Sequence, residues 1–187
     1  TVLKCVNLGW GIFNVEKEME KSTGLKVKAG NDANVAALGE MWQGGGKGYK
    51  DIVMVTLGTG VGGGIIINGH ILAGINGAAG EIGHIPMKEG ETECCGCGKK
   101  GCLEQYASAS GIARTANKRL AQDAAIETSL RALPEVTSKD IFDAAKSGDN
   151  FAISLVDEVG KMLGKALASI ACVVYPETFV IGGGMSK

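Results

Sequence analysis

The sequence predicts an α/β domain, and three observations carry that reading. An apolar run over Asp51–Leu57 turns at Gly58-Thr59-Gly60 and returns over Val61–Ile67, which reads as two strands. Over Asn150–Tyr175, Val156, Val159, Leu163, Leu167, Ile170 and Val174 recur at helical spacing. Of the 30 glycines, 19 cluster at 44–48, 58–64, 74–83, 96–101 and 182–184, as punctuation between elements. Glycine permits positive φ and close approach of backbone to a ligand, so several glycine turns in one domain point to a phosphorylated ligand and a sugar or nucleotide.

Element by element, Val15–Thr23 reads as a short helix closed by Gly24, and Lys26–Ala29 as a strand. Asn31-Asp32 stands at its end, and Ala33–Gln43 is helical, with Asp32 or Asn34 as cap. Gly44–Gly48 is a flexible break. After the two strands, Asn68-Gly69 signals a type I′ hairpin and Ile71-Leu72 starts another strand, giving an antiparallel meander. Ser108 or Ser110 caps a helix running to about Ala121. Asp123–Pro134 is a polar excursion. Ser138 caps a helix over Lys139–Lys146, ended by Gly148. In the long helix, Gly160, Gly164, Ala168 and Cys172 form a small-residue stripe. Pro176 stops that helix, and Thr178–Ile181 is a buried strand. Gly182-Gly183-Gly184-Met185-Ser186 should then open a helix. The sequence stops at Lys187 and starts at Thr1, so a fragment of a longer protein is expected.

Composition narrows the class. With 187 residues, 45% hydrophobic and 21% charged, the chain suits a soluble globular domain with a sizeable core. The net charge is −1, and no basic patch stands out, which argues against nucleic-acid binding by this segment. No signal peptide or uninterrupted apolar span is present, so no membrane partner is expected. Six cysteines, four of them clustered, point to a metal in a reducing, cytoplasmic compartment.

That cluster holds Cys94, Cys95, Cys97 and Cys102, with His84 upstream. Zinc takes four thiolate or imidazole ligands in a tetrahedron, commonly three Cys and one His. His84, Cys95, Cys97 and Cys102 form such a set with no open position, hence a structural Zn2+. Lys99 and Lys100 favour the thiolate form. His70 has no cysteine nearby. Cys94 either replaces Cys95 or is a bystander. The competing reading is a disulfide pair with a spare thiol, which the short gaps would strain.

Five segments then carry a resemblance. They are Asn31–Glu40, Thr56–Gly64, Gly77–His84, Cys95–Glu104 and Val180–Ser186, in order along nearly the whole chain. Together they resemble the ROK family of sugar kinases and repressors, nearest its glucokinase branch. The resemblance implies an actin-like/hexokinase-like (ribonuclease H-like) ATPase fold: a mixed sheet with flanking helices and a zinc-binding loop. Residues 1–187 would be mostly its C-terminal large lobe, with 1–44 near the interlobe hinge and the N-terminal lobe absent.

The implied activity is ATP-dependent phosphorylation of glucose at the 6-hydroxyl. Phosphoryl transfer to an alcohol needs a carboxylate to accept the hydroxyl proton, and the resemblance gives that role to Asp32; without it, Asp32 reads first as a helix cap. It makes Asn31, Glu81, His84 and Glu104 ligands of the sugar hydroxyls, though Glu104 alone reads as a surface charge. His84 would bind zinc through one ring nitrogen and face the sugar with the other. Gly58, Thr59 and Gly60 would meet the ATP phosphates, and Gly182 and Gly183 the adenosine, with Mg2+ accompanying ATP. A homodimer is implied as well. The family's first phosphate loop, of Asp-x-Gly-Gly-Thr type, is not in this sequence, so little kinase activity is expected of these residues alone. A sugar-responsive repressor, or a kinase for another hexose, is the alternative.

Overall fold

The computed structural model describes residues 11–186; Lys187, at the end of the glycine-rich C-terminal segment, and Thr1 lie outside them. Two compact units divide the chain between Asp32 and Ala33. In the first, α1 spans Val15–Thr23, with the Asn14 side chain accepting from the Lys17 N–H at 3.1 Å. Gly24, at φ 70°, ends it. The strand expected over Lys26–Ala29 does not form. Two of its N–H groups are taken by α1 instead: Val27 donates to Glu20 at 3.0 Å and Ala29 to Glu16 at 2.9 Å. The donors on one edge of the segment are thus spent on carboxylates and do not serve a ladder there.

Helix α2 runs from Asp32 to Gln43, so Asp32 is its first residue and not a residue outside it. The glycines after it form hydrogen-bonded turns where a flexible break is expected: Gly44 and Gly46 donate to the Glu40 carbonyl, and Gly45 to the Glu40 carboxylate at 2.8 Å.

The second unit is built on a four-stranded mixed sheet in the order β3-β2-β1-β4. Strands β1 (Ile52–Leu57), β2 (Val61–Ile67) and β3 (His70–Ile71) form the expected meander. Strand β3 begins one residue earlier than its sequence pattern suggests. Strand β4 (Thr178–Gly182) returns parallel to β1, with Ile52 opposite Thr178 and Thr56 opposite Gly182.

The alternation along β1 sorts the core. Val53, Val55 and Leu57 pack with Ile65, Leu103, Ala107, Ala166 and Ile170, while Ile52 and Met54 pack with Ala37 and Ile66. Thus α2 covers one face, and α6 (Asn150–Val174) with the short α3 (Glu104–Ala107) covers the other. The glycines of β2 allow this. A Cβ at Gly64 would stand 2.6 Å from the Ala37 Cβ and 2.7 Å from the Ala33 carbonyl oxygen. Only a bare backbone lets α2 lie so close to the strand.

A second core joins α4 (Ala109–Gln122), α5 (Ser138–Lys146) and the first half of α6 around Ile112, Ile141 and Leu155. Ser108 caps α4, its side chain accepting from Gly111. The α5 cap is Thr137 and not Ser138: Thr137 and Asp140 form a reciprocal capping box. Tyr175, at φ 47°, caps the C-terminal end of α6. The excursion over 123–134 contains a 3₁₀ turn, Ser129–Ala132.

Candidate functional site

The turn between β1 and β2 comes first. Gly58 donates to the Gly60 carbonyl at 3.0 Å, and Ala109, the first residue of α4, donates to Gly58 at 2.8 Å. The segment after β4 closes in beside it: Gly183 has φ 106°, its Cα packed against the backbone of Leu57, and Met185 donates to the Leu57 carbonyl at 3.2 Å. Gly58–Gly60 and Gly182–Gly183 are therefore brought together. Gly58, Thr59, Gly184 and Met185 line a cavity of about 420 Å³. Its other wall holds Lys139, Phe142 and Lys146 of α5, which nothing in the sequence had singled out. Their helical spacing was legible; their proximity to the turn was not.

On the other side of Thr59 lies a second cavity, of about 370 Å³, lined by Thr59, Gly60, Cys95, Glu104 and Arg114. Glu104 is the first residue of α3, a helix too short to be read from periodicity. One of its carboxylate oxygens accepts from the Val61 N–H at 3.0 Å, and the other lies 3.7 Å from Cys95 Sγ.

The Cys/His cluster is adjacent. One ligand atom each from His84, Cys95, Cys97 and Cys102 lie within 4.8 Å of one another. Cys97 and Cys102 Sγ are 3.7 Å apart, and His84 Nδ1 is 3.6 Å from Cys95 Sγ. The first separation is too long for a disulfide, whose bond is about 2.05 Å, and all five described cysteines are free. A tetrahedron with Zn–S near 2.3 Å has S···S edges of about 3.8 Å. The donor set and its spacing fit a zinc ion. Cys94 lies outside this group.

Several bonds shape the loop. Cys95 donates to the Lys99 carbonyl at 2.7 Å and Gly98 to the Cys95 carbonyl at 2.8 Å. The buried Gln105 accepts from the Cys102 N–H at 3.1 Å and donates to the Glu93 carbonyl at 3.0 Å. A side chain on Gly101, at φ 74°, would collide with the Lys88 carbonyl. Burial pushes the Cys102 thiol up to about 12 and the Cys95 thiol upward too. Cys97 is held below its ordinary value, chiefly by the Lys99 backbone, with the Lys99 ammonium the last of the contributions. At Cys97 the Lys99 backbone N–H thus outweighs the Lys99 ammonium.

His84 has two faces: Nδ1 is turned to Cys95, while Nε2 is 3.9 Å from Glu81 Oε2. Glu81 is exposed and His84 partly buried. Glu81 precedes the 3₁₀ turn Ile82–His84 and His84 ends it, and the turn lies against β2 through the backbone contact of Gly83 with Val61. His70 lies on β3, its ring bonded to the Asn68 carbonyl at 2.8 Å. Asn31 and Asp32, at the end of the first unit, are solvent-exposed.

Comparison with known proteins gives a match to the ROK family over residues 1–187. A glucokinase of Halalkalibacterium halodurans is 48% identical over 100% of this chain and 57% of its own length. The crystal structure of a ROK family glucokinase from Streptomyces griseus, in complex with glucose and AMPPNP, superposes with a TM-score of 0.83 at 39% identity, over 100% of this chain and 61% of that one. A ROK family transcriptional regulator, a homologue of the E. coli MLC protein, superposes with a TM-score of 0.89 at 32% identity, over 99% of this chain and 46% of that one. The chain spans little more than half the length of the curated relatives it matches. Its fold is of the actin-like/hexokinase-like class.

Proposed function

The chain belongs to the ROK family, and on that premise we propose that the whole protein transfers the γ-phosphoryl group of ATP to the 6-hydroxyl of glucose or a closely related hexose. The observation that carries this reading is the position of Thr59, which lines both cavities. On one side are Glu104 and Cys95; on the other are Lys139, Phe142 and Lys146. A phosphate at Thr59 would have before it a seat holding Glu104 and the Arg114–Glu93 pair, and behind it one holding Phe142, Lys146 and the Lys139–Asp143 pair. The nucleotide- and glucose-bound state of the Streptomyces griseus relative supports the same pair of ligands.

In this reading Glu81, His84, Glu104 and Asn31 hold the sugar hydroxyls. Carboxylates suit that task because each accepts more than one hydroxyl, and an analogue lacking a hydroxyl leaves them unpaired. Asp32 takes the proton of the 6-hydroxyl as its oxygen attacks the γ-phosphorus and the bond to ADP breaks. Gly58–Gly60 hold the phosphates and Gly182–Gly183 border the adenosine. Mg2+ bound with ATP would neutralise phosphate charge. His84, Cys95, Cys97 and Cys102 would hold a structural Zn2+, fixing the His84 ring so that Nε2 faces the sugar. Residues 1–187 are read as the large C-terminal lobe, with 1–44 by the hinge, within a cytoplasmic homodimer.

The test is a coupled assay of ATP-dependent hexose phosphorylation by the whole protein, with glucose compared against mannose, fructose and N-acetylated hexoses. Turnover led by glucose is expected; no turnover of any hexose overturns the reading. The likeness to the ROK transcriptional regulator favours a second one, a sugar-responsive repressor. Sugar-dependent DNA binding without phosphorylation would select it.

A further inference from the structure

We infer that Glu104 is a positioning residue for the Gly58–Gly60 turn, so that one carboxylate links the seat proposed for the sugar to the seat proposed for the nucleotide phosphates. The inference rests on the function proposed above and adds to it a path between the two ligands.

The geometry is two-sided. Glu104 Oε2 accepts from the Val61 N–H at 3.0 Å, at the point where the turn enters β2. Gly60 leaves room for this: a Cβ there would collide with the same oxygen. Oε1 points the other way, 3.7 Å from Cys95 Sγ, in the cavity that also holds Thr59 and Gly60. The backbone that carries the carboxylate is anchored, because Leu103 before it is fully buried and Gln105 and Tyr106 after it are buried as well.

Besides the pairing of Leu57 with Val61 in the β1–β2 ladder, two backbone bonds restrain the turn: the Gly58 N–H bonds to the Gly60 carbonyl, and the Gly58 carbonyl receives the Ala109 N–H. Neither holds the Val61 N–H, the Gly60–Val61 peptide's one donor. A charge-assisted bond from a carboxylate is among the stronger ones available. A hydroxyl drawn to Oε1 would therefore bias the group that orients the turn through Oε2, and such coupling runs equally in both directions.

The experiment measures nucleotide binding to the whole protein without sugar, using AMPPNP with magnesium, for the wild type, Glu104→Ala and Glu104→Gln. Loss of sugar contacts alone would leave this affinity untouched. The Ala variant should bind nucleotide about tenfold more weakly, the size of one hydrogen bond to a charged group, while Gln, whose amide oxygen still accepts from Val61, should stay within about threefold. Wild-type nucleotide affinity in Glu104→Ala overturns the inference. If the Ala variant does not fold, Glu104→Met, which keeps the length and loses the acceptor, takes its place: nucleotide bound about tenfold more weakly supports the link, and wild-type nucleotide affinity overturns it. Should the wild type bind no nucleotide, the phosphorylation reading fails, and hydrogen exchange of the Val61 amide judges the link by itself. Exchange about tenfold faster in Ala than in Gln supports it, and equal exchange overturns it.

Discussion

The Tyr106 hydroxyl donates to the Glu91 carboxylate, and Arg114 reaches the same oxygen at 3.4 Å. Lys88 and Arg114 stand over the Tyr106 ring, 5.2 and 5.7 Å from its centre. Arg114 also pairs with Glu93, whose carbonyl Gln105 holds. These contacts tie residues 88–93, just ahead of the cysteines, to α3 and α4.

The clamp makes stability depend on pH in a defined way. The Tyr106 bond, then the Glu93 N–H, hold Glu91 at about 2, below its ordinary 4.5. A folded-state value below the unfolded one adds stability that is complete above about 4.5 and lost as pH falls towards 2. Burial, then Glu91, push Tyr106 up to about 12, so the clamp is also lost as pH rises from 10 towards 12. Tyr106→Phe should cost about 1–2 kcal/mol at pH 7, and less as pH is lowered towards 3. Urea unfolding at several pH values checks this; a cost independent of pH would show that Glu91 is not the partner that matters.

Zinc content tests the Cys/His cluster. Protein purified without chelator should carry about one zinc per chain. Because burial keeps Cys95 and Cys102 protonated without a metal, zinc uptake should release protons. Cys102→Ser should lose the ion, and Cys94→Ser should keep it. Metal analysis and proton release on zinc addition are the measurements. Undiminished zinc in Cys102→Ser refutes the ligand set.

Asp32→Asn tests the proposed base. The substitution keeps the size and removes the proton acceptor. Steady-state kinetics of the whole protein should show kcat lower by about 10²–10⁴-fold with KM little changed. A kcat within about threefold of the wild type would return Asp32 to the role of a helix-terminal residue.

Gly64→Ala tests the packing of α2 on the sheet. The added Cβ meets Ala37 and the Ala33 carbonyl at 2.6 and 2.7 Å, and backbone cannot swing aside as a flexible side chain can. Overpacking of this kind costs about 1–3 kcal/mol. Gly69→Ala meets no such neighbour but forces a left-handed residue, so it controls for loss of glycine alone. A denaturant midpoint for Gly64→Ala equal to the wild type would mean that α2 is not held against β2.

Much of the fold was legible locally. The β1–β2–β3 meander, the three long helices and the order of the motifs follow from apolar spacing and turn residues. Two expectations failed where a side chain took over a backbone group: the Glu20 and Glu16 carboxylates took the donors of Val27 and Ala29, and Thr137, with Asp140, took the α5 cap from Ser138. The choice between Ser108 and Ser110 was likewise undecided until α4 formed.

The sequence by itself determined the residue types of the site: a Cys/His donor set, glycine turns, and carboxylates at Glu81 and Glu104. Spacing also restricts the metal reading, since three cysteines within eight residues cannot lie far apart. Only the tertiary structure decided that β4 lies parallel to β1, which carries Gly183 and Met185 to the Leu57 carbonyl across more than a hundred intervening residues. It also decided that Lys139 and Phe142 border the Gly58–Thr59 turn and that Glu104 reaches Val61. The physical reason is that periodicity and turn chemistry act over a few residues. Pairing between distant segments is set by which apolar faces bury together, and that is a property of the packed chain.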